Sequence, residues 1–275
     1  GTHVVRGGLW NGIILVCNVE TGKMSIIKGH TSTVTCITVD DKDKLAVSGS
    51  KKGDVIFWEI SADKQEWTEK YHFYNHEDFV TSITIKDSII LTSSLDSSIN
   101  LYNLTGTLLR TLYHPSGNPI LTSIYSSSPL PCIIFYSYRD KIFYSYSING
   151  DLLGSCSEEK SNKLRGIPED TYLYTMIRTP KVVSDSYFND HLIYGTDKGT
   201  ILIRSLPYLD KPRHLLVASG HSTLTLLVSP DRRFLLAGTS IGGLRVLTDP
   251  QVISEDREEG INTTGEDFIM HSRSM

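Results

Sequence analysis

The 275 residues carry a net charge of −4, with 39 % apolar and 9 % aromatic side chains, enough apolar material for a packed core. No apolar run approaches the roughly 18 residues of a membrane-spanning helix, and no basic-plus-apolar signal segment opens the sequence. Residues 254–275 hold six acids and two bases, so residues 1–253 are near neutral and no basic footprint points to nucleic acid.

In chain order, residues 4–27 predict three strands joined by turns: HVVRGG, IILVCNV and MSIIK. The innermost strand of this unit is expected upstream of Gly1. The second unit opens at Gly29-His30 and runs VTCITV, the polar turn DDKDK, KLAVSGS, the tight turn KKGD and VIFWEI, with an outer strand at 66–73. The third covers 79–112 (FVTSITI, SIILTSS, SINLYNL, TLLRTL). The fourth covers 120–153 (LTSIYS, CIIFYS, KIFYSYSI, DLLGS) and contains the hairpin signal Asn149-Gly150. SEEKSNKLRGIPED then predicts a surface loop in an interval too short for a further unit. HLIYGT and TILIRSL resume the pattern, and the last unit runs from His221 through TLTLLVS, FLLAGT and GLRVLTD. Beyond Pro250 the acidic composition predicts a solvated tail.

These units repeat. Turn markers at Gly12, Gly53, Ser97, Lys141, Gly199 and Gly243 are 41, 44, 44, 58 and 44 residues apart. A four-stranded WD-type blade takes roughly 40–45 residues and shows Gly-His and Trp-Asp signatures. Gly-His occurs at Gly29-His30 and Gly220-His221, with Asn75-His76 as a weaker copy, and the tryptophan slot reads Cys17, Trp58, Tyr102, Tyr146, Arg204 and Thr248. The period predicts an all-β, WD-repeat-like β-propeller over residues 1–253. Six blade-equivalents are visible, the first of them incomplete, and seven are expected in the whole protein; residues 254–275 are expected to form an acidic, flexible C-terminal tail. Cys17, Cys36, Cys132 and Cys156 lie far apart without a C-x-x-C, three of them in strand runs, as expected of a reducing, cytosolic compartment.

VVRGGLWNGIILVCNVETGK, followed by GHTSTVTCITV, resembles the propeller that follows the BEACH domain in large beige- and neurobeachin-type proteins. FYSYSINGDLL and SPDRRFLLAGTSIGGLRVL add to the likeness, which covers most of residues 4–248, and residue usage points to a fungal or protist beige homologue. The resemblance implies an upstream BEACH domain, cytosolic work in membrane traffic and protein sorting, indirect peripheral association with endomembranes, and recruitment of partner proteins. It also implies a buried hydrogen-bonded chain in each repeat, from the Gly-His imidazole through a strand Ser or Thr and a turn Asp to the Trp N–H. In the second blade this falls on His30, Ser48 or Ser50 and Trp58, with Lys52 at the usual Asp position breaking it. In the third it falls on His76, Ser93 or Ser94 and Asp96, with the Tyr102 hydroxyl as donor. His221 is the counterpart in the last unit.

No catalytic constellation emerges, and no cofactor or metal is expected. Gly238-Thr-Ser240-Ile-Gly242 matches G-x-S-x-G, but that motif needs a strand-to-helix elbow and both flanks here read as strands. His72 and His76 have helical metal spacing across a strand end, without a third ligand. Enzyme chemistry at Ser240 or at the His72/His76 pair is therefore the least favoured function. The inter-strand turns of a propeller gather at one rim, which offers Trp10, Asn11, Lys51, Lys52, Arg139, Asp197 and Lys198 as interaction residues. Trp10 reads equally as an exposed anchor or as a ring folded back on the domain. The function implied is a non-catalytic scaffold of a BEACH-type protein; the alternative is a substrate-adaptor propeller of a ubiquitin ligase or another multiprotein complex.

Overall fold

The computed structural model describes residues 2–8, 11–40, 42, 44–64, 66–127, 130–137, 139–157, 178–184, 190–196, 199–209, 213–216, 222–229 and 234–247. Every regular element among them is a strand, and the strands form six antiparallel sheets taken in chain order. The first blade is β1 (His3–Arg6), β2 (Ile14–Asn18) and β3 (Met24–Ile27). The second is β4 (Val34–Val39), β5 (Leu45–Ser50), β6 (Val55–Ile60) and β7 (Trp67–Phe73). The third is β8 (Val80–Lys86), β9 (Ile89–Ser94), β10 (Ser98–Asn103) and β11 (Leu108–Tyr113). The fourth is β12 (Ile120–Ser126), β13 (Cys132–Ser137), β14 (Ile142–Ser147) and β15 (Leu152–Ser157). The fifth is β16 (Arg178–Ser184), β17 (Asp190–Gly195), β18 (Thr200–Ser205) and β19 (Arg213–Leu216), and the sixth is β20 (Thr223–Val228), β21 (Leu235–Thr239) and β22 (Leu244–Leu247). This is the blade arrangement of a β-propeller. The chain divides into two compact units, Gly1–Ser155 and Cys156–Met275.

Within the first unit, apolar side chains hold the blades face to face. Ile14, Val16 and Ile27 of the first blade pack on Ala46, Ile56 and Trp58 of the second. Val47, Val55 and Phe57 on the opposite face of that blade meet Ile83, Ile90 and Tyr102. Leu91, Ile99 and Leu101 then meet Ile133, Phe135 and Tyr144. Strands sandwiched in this way are buried on both faces, which is why β5 and β13 run as continuous buried segments rather than alternating ones. The innermost strands are also latched by hydroxyls. Thr35 and Thr38 donate to the carbonyls of Val80 (2.5 Å) and Ile83 (2.9 Å), and Thr81 and Thr84 donate to those of Ile120 (2.8 Å) and Ser123 (2.9 Å). Thr35 and Thr81 occupy β-bulges, which aim one extra side chain out of the ladder.

In the second unit one strand is added to the predicted set and one turn position is corrected. The interval after residue 154 contains an inner strand, β16, so the fifth blade has four strands. Pro180 disguises it, because proline is poor strand material except on edges and at bulges; β16 is an edge strand and its register shifts between Arg178 and Lys181. In the sixth blade Gly238 pairs with Leu244, as Gly49 pairs with Val55 in the second. The turn glycine equivalent to Gly53 is therefore Gly242 (φ 79°), not Gly243, and the tryptophan slot is Leu247, not Thr248. Most of the SEEKSNKLRGIPED stretch and the tail 254–275 lie outside the described residues.

Candidate interaction rim and the polar network beneath it

The turns between the second and third strands of each blade are fixed by backbone chemistry. Gly53 takes φ 88°, the left-handed region, and a Cβ there would lie 2.3 Å from the carbonyl oxygen of His76. Glycine is required both for the turn and for its close seat on the next blade's histidine loop. The amide of Lys51 donates to the carbonyl of Thr33 (2.9 Å), that of Leu95 to Phe79 (3.0 Å), and that of His114 to Ser97 (2.9 Å). The turns are thereby stitched to the histidine loops along one edge of the first unit.

Under the first of these turns lies a buried hydrogen-bonded chain. Trp58 Nε1 donates to Ser48 Oγ (2.7 Å), which lies 2.6 Å from His30 Nε2. His30 Nδ1 lies 2.5 Å from Asp54 Oδ2, and because a carboxylate only accepts, the imidazole donates there. The Ser50 hydroxyl donates to the other oxygen of Asp54. Burial pushes the Asp54 carboxyl up, but the hydrogen bonds from His30 and Ser50, the His30 charge and a bond from His72 hold it well below the usual carboxylate range. Lys52 therefore does not break the chain, because the carboxylate is supplied two residues later by Asp54, and Ser48 and Ser50 both take part. A Cβ on Gly29 would lie 2.4 Å from the Trp58 ring, so the glycine before His30 makes room for the indole.

The third blade reaches the same end by another route. His76 Nε2 meets Thr92 Oγ1 (2.8 Å), not Ser93 or Ser94, while Nδ1 meets Ser98 Oγ (2.9 Å) and Asp96 Oδ2 (3.1 Å). Ser98 passes its hydroxyl hydrogen to Asp96 Oδ1 (2.6 Å). Burial raises the Asp96 carboxyl, and the His76, Ser98 and Glu77 backbone bonds outweigh it and hold the group low. The Tyr102 hydroxyl accepts from Asn75 Nδ2 (3.1 Å).

In the fourth blade the chain is incomplete. His114 and Asp140 take the histidine and aspartate positions, but Phe135 occupies the serine slot and Tyr146 stacks on it (5.4 Å, 29°). His114 Nδ1 accepts from the amides of Ser116 (3.1 Å) and Asn118 (3.2 Å). Its Nε2 lies 3.1 Å from Asp140 Oδ2 without hydrogen-bond alignment. Burial pulls the His114 ring below its ordinary value, against the Asp140 carboxylate, which raises it. In the fifth blade Arg204 fills the tryptophan slot and donates through Nε to the Tyr194 hydroxyl (2.8 Å) and through Nη1 to the Leu209 carbonyl (3.0 Å).

Above this network, Asn11, Lys51, Lys52 and Arg139 are exposed on their turns. Lys51 Nζ sits 5.1 Å over the Phe79 ring. Trp10, Asp197, Lys198 and His221 lie outside the described residues. Ser240 is in the turn between β21 and β22, with strands on both sides and its amide on the Ser222 carbonyl (2.9 Å). His72 and His76 face different carboxylates, Asp54 (3.3 Å) and Asp96 (3.1 Å). Among the described residues no group of three His, Cys, Asp or Glu side chains is placed to hold a metal, and no helix is long and apolar enough to cross a membrane. Asp54, Thr92, Ser98, His114 and Asp140 were not singled out by their sequence positions as members of these chains. The Asp in KKGD and the His after Tyr113, one blade-length beyond His76, were the available signals.

The WD domain, G-beta repeat family matches residues 22–59 and 67–103, so the chain carries WD40 repeats on a propeller fold. Those two segments end in the third strands of the second and third blades, where the polar chains are complete. The chain is 30 % identical over 178 residues to the protein ROOT INITIATION DEFECTIVE 3 of Arabidopsis thaliana, covering 58 % of this chain and 40 % of that protein. It is 24 % identical over 273 residues to BEACH domain-containing protein B of the same plant, covering 90 % of this chain and 10 % of that protein. It is 26 % identical over 187 residues to BEACH domain-containing protein lvsD of Dictyostelium discoideum, covering 47 % and 6 %. The chain thus spans well under two thirds of each relative. The crystal structure of the computationally designed Ika8 protein superposes with a TM-score of 0.64 at 20 % identity, covering 90 % of this chain and 68 % of that one.

Proposed function

We propose that this chain is the propeller of a BEACH-type protein, a non-catalytic platform that recruits partner proteins in membrane traffic and protein sorting. A WD40 propeller is a protein-interaction scaffold. The finer reading is supported by the likeness to BEACH domain-containing protein B, which runs through 90 % of this chain. The observation that carries the binding role is the rim itself. Exposed Asn11, Lys51, Lys52 and Arg139 are presented on turns that are stitched to the histidine loops over a buried polar network. Such turns offer a surface that keeps its shape on binding. The working site is the cytoplasm, with peripheral and indirect contact with endomembranes.

The test has two parts. The native polypeptide carrying this sequence is expected to be many times larger than 30.7 kDa, with peptides of a BEACH domain mapping upstream. A native chain only slightly larger would sink the BEACH reading. Separately, partners crosslinked to the native protein are expected to be lost on combined Asn11→Ala, Lys52→Ala and Arg139→Ala substitution, at unchanged thermal stability.

A further inference from the structure

Tyr74 is the most exposed large hydrophobic side chain among the described residues, at 74 %. It is nonetheless held in place, because its ring stacks on His72 with centroids 4.5 Å apart and planes at 19°. His72 is itself fixed between two carboxylates. Its Nε2 lies 3.3 Å from Asp54 Oδ2 and its Nδ1 lies 3.5 Å from Glu69 Oε1. Asp54 is buried in the His30 chain, whereas the Glu69 side chain is 45 % exposed. One face of the tyrosine is therefore covered by an anchored imidazole, and the half-exposed Glu69 carboxylate that pairs with that imidazole borders the stack. Glu77 and Asp78, exposed in the same loop between β7 and β8, extend the acidic surroundings.

An aromatic ring already fixed before binding loses little side-chain entropy when a partner lands on it. A ring face bordered by carboxylate suits a planar cation: the guanidinium stacks on the π-face and its N–H fork meets the carboxylate oxygens. An ammonium shares the attraction but has no plane to stack. We infer that Tyr74, backed by His72 and flanked by Glu69, is a docking point for an arginine side chain of a partner protein. This rests on the platform reading above and names the chemistry of one contact within it. Lys52, exposed on the neighbouring turn, and Lys28, exposed before the His30 loop, disfavour a densely basic partner. The fit is to a single arginine in an otherwise neutral segment.

The test is an NMR titration of the ¹⁵N-labelled chain with the peptide Gly-Ser-Arg-Ser-Gly and with versions carrying lysine, citrulline or glutamate in place of the arginine. The arginine peptide is expected to shift the signals of Tyr74, His72 and Glu69 and to bind about threefold or more tightly than the citrulline peptide, the gain an exposed cation–π contact supplies. Tyr74→Ala and Glu69→Gln, both on exposed side chains and therefore folded, are each expected to weaken it about threefold. Equal binding of the citrulline peptide, a Tyr74→Ala titration identical to that of the unaltered protein, or a shift of these signals by the glutamate peptide instead would overturn the assignment. Partner capture by the native protein separates the two levels. Capture lost with the triple rim variant but kept with Tyr74→Ala sinks only the arginine contact, and capture unaffected by either variant sinks the platform reading as well.

Discussion

The second and fourth blades share one sheet topology and one order of histidine, strand and turn acid, yet they are held together differently. In the second blade every polar atom of the His30 chain has a partner, from the Trp58 indole to the Asp54 carboxylate. In the fourth, Phe135 replaces the hydroxyl, and aromatic packing of Phe135, Tyr144, Tyr146 and His114 takes over. His114 Nε2 and Asp140 Oδ1 are left buried without a hydrogen bond. The polar chain is thus not required to tie three strands, and the aromatic version leaves the histidine and aspartate positions of the chain each with an unsatisfied buried atom. The third blade shows that the polar version tolerates rearrangement, with its carboxylate at Asp96 and a serine relay at Ser98 where the second blade has Asp54. A linked exchange occurs at the tryptophan slot. Gly29 leaves room for Trp58, whereas the smaller Tyr102 leaves room for Asn75, whose amide bonds the tyrosine hydroxyl.

The difference can be broken at Asp54. Asp54→Ala strands the His30 Nδ1 proton and the Ser50 hydroxyl in a buried site and is expected to cost about 3 kcal/mol, read as a lowered urea midpoint. Adding Lys52→Asp to Asp54→Ser transplants the third blade's arrangement and should bring stability back to within about 1 kcal/mol of the original. A double variant no more stable than Asp54→Ala would mean that the two carboxylate positions are not interchangeable.

The tryptophan slot supplies the next contrast. Trp58→Phe removes the N–H that Ser48 accepts and leaves a gap against Gly29, for an expected loss of about 2 kcal/mol. Tyr146→Phe in the fourth blade leaves the stack on Phe135 in place and should change stability by less than about 0.5 kcal/mol. Comparable losses in the two variants would erase the distinction between the blades.

Acid should separate them as well. The folded-state value of His114 lies below its ordinary 6.5. As pH falls through that value the unfolded chain takes up a proton that the folded blade resists, and stability declines. Asp54 and Asp96 are depressed below 3.8 in the folded protein. Their contribution is present above that value and fades only as pH falls further. Amide exchange in β13 and β14, corrected for intrinsic rates, is therefore expected to accelerate from pH 7 to 5.5, while β5, β6, β9 and β10 stay protected. Uniform acceleration across all three blades would contradict this. The smallest effect belongs to the rim. Lys52→Ala, on an exposed turn, should move the melting temperature by an amount equivalent to less than about 0.5 kcal/mol, which keeps it usable as a binding probe.

The period of turns and strand runs by itself determined that this is a propeller of four-stranded blades, because a three-strand meander with short turns cannot bury both faces unless it is repeated. It also located His30 and His76, since a Gly-His or Asn-His one strand before an alternating run recurs at blade spacing. Which acid serves each histidine was decided only by the tertiary structure. Lys52 stands where Asp96 stands in the next blade, and nothing along the chain says that a side chain two residues further, across the left-handed turn at Gly53, reaches the same imidazole nitrogen. The choice of Thr92 over Ser93 is likewise a matter of which face of β9 turns toward His76, because adjacent strand residues point to opposite faces; Ser94 shares the face of Thr92 but donates to the Asp78 carbonyl (3.0 Å) instead. The Tyr74 stack was invisible for the same reason. His72 and Tyr74 share a face by strand alternation, but the carboxylate that fixes His72 is Asp54, eighteen residues away in sequence and adjacent only once β6 and β7 have paired.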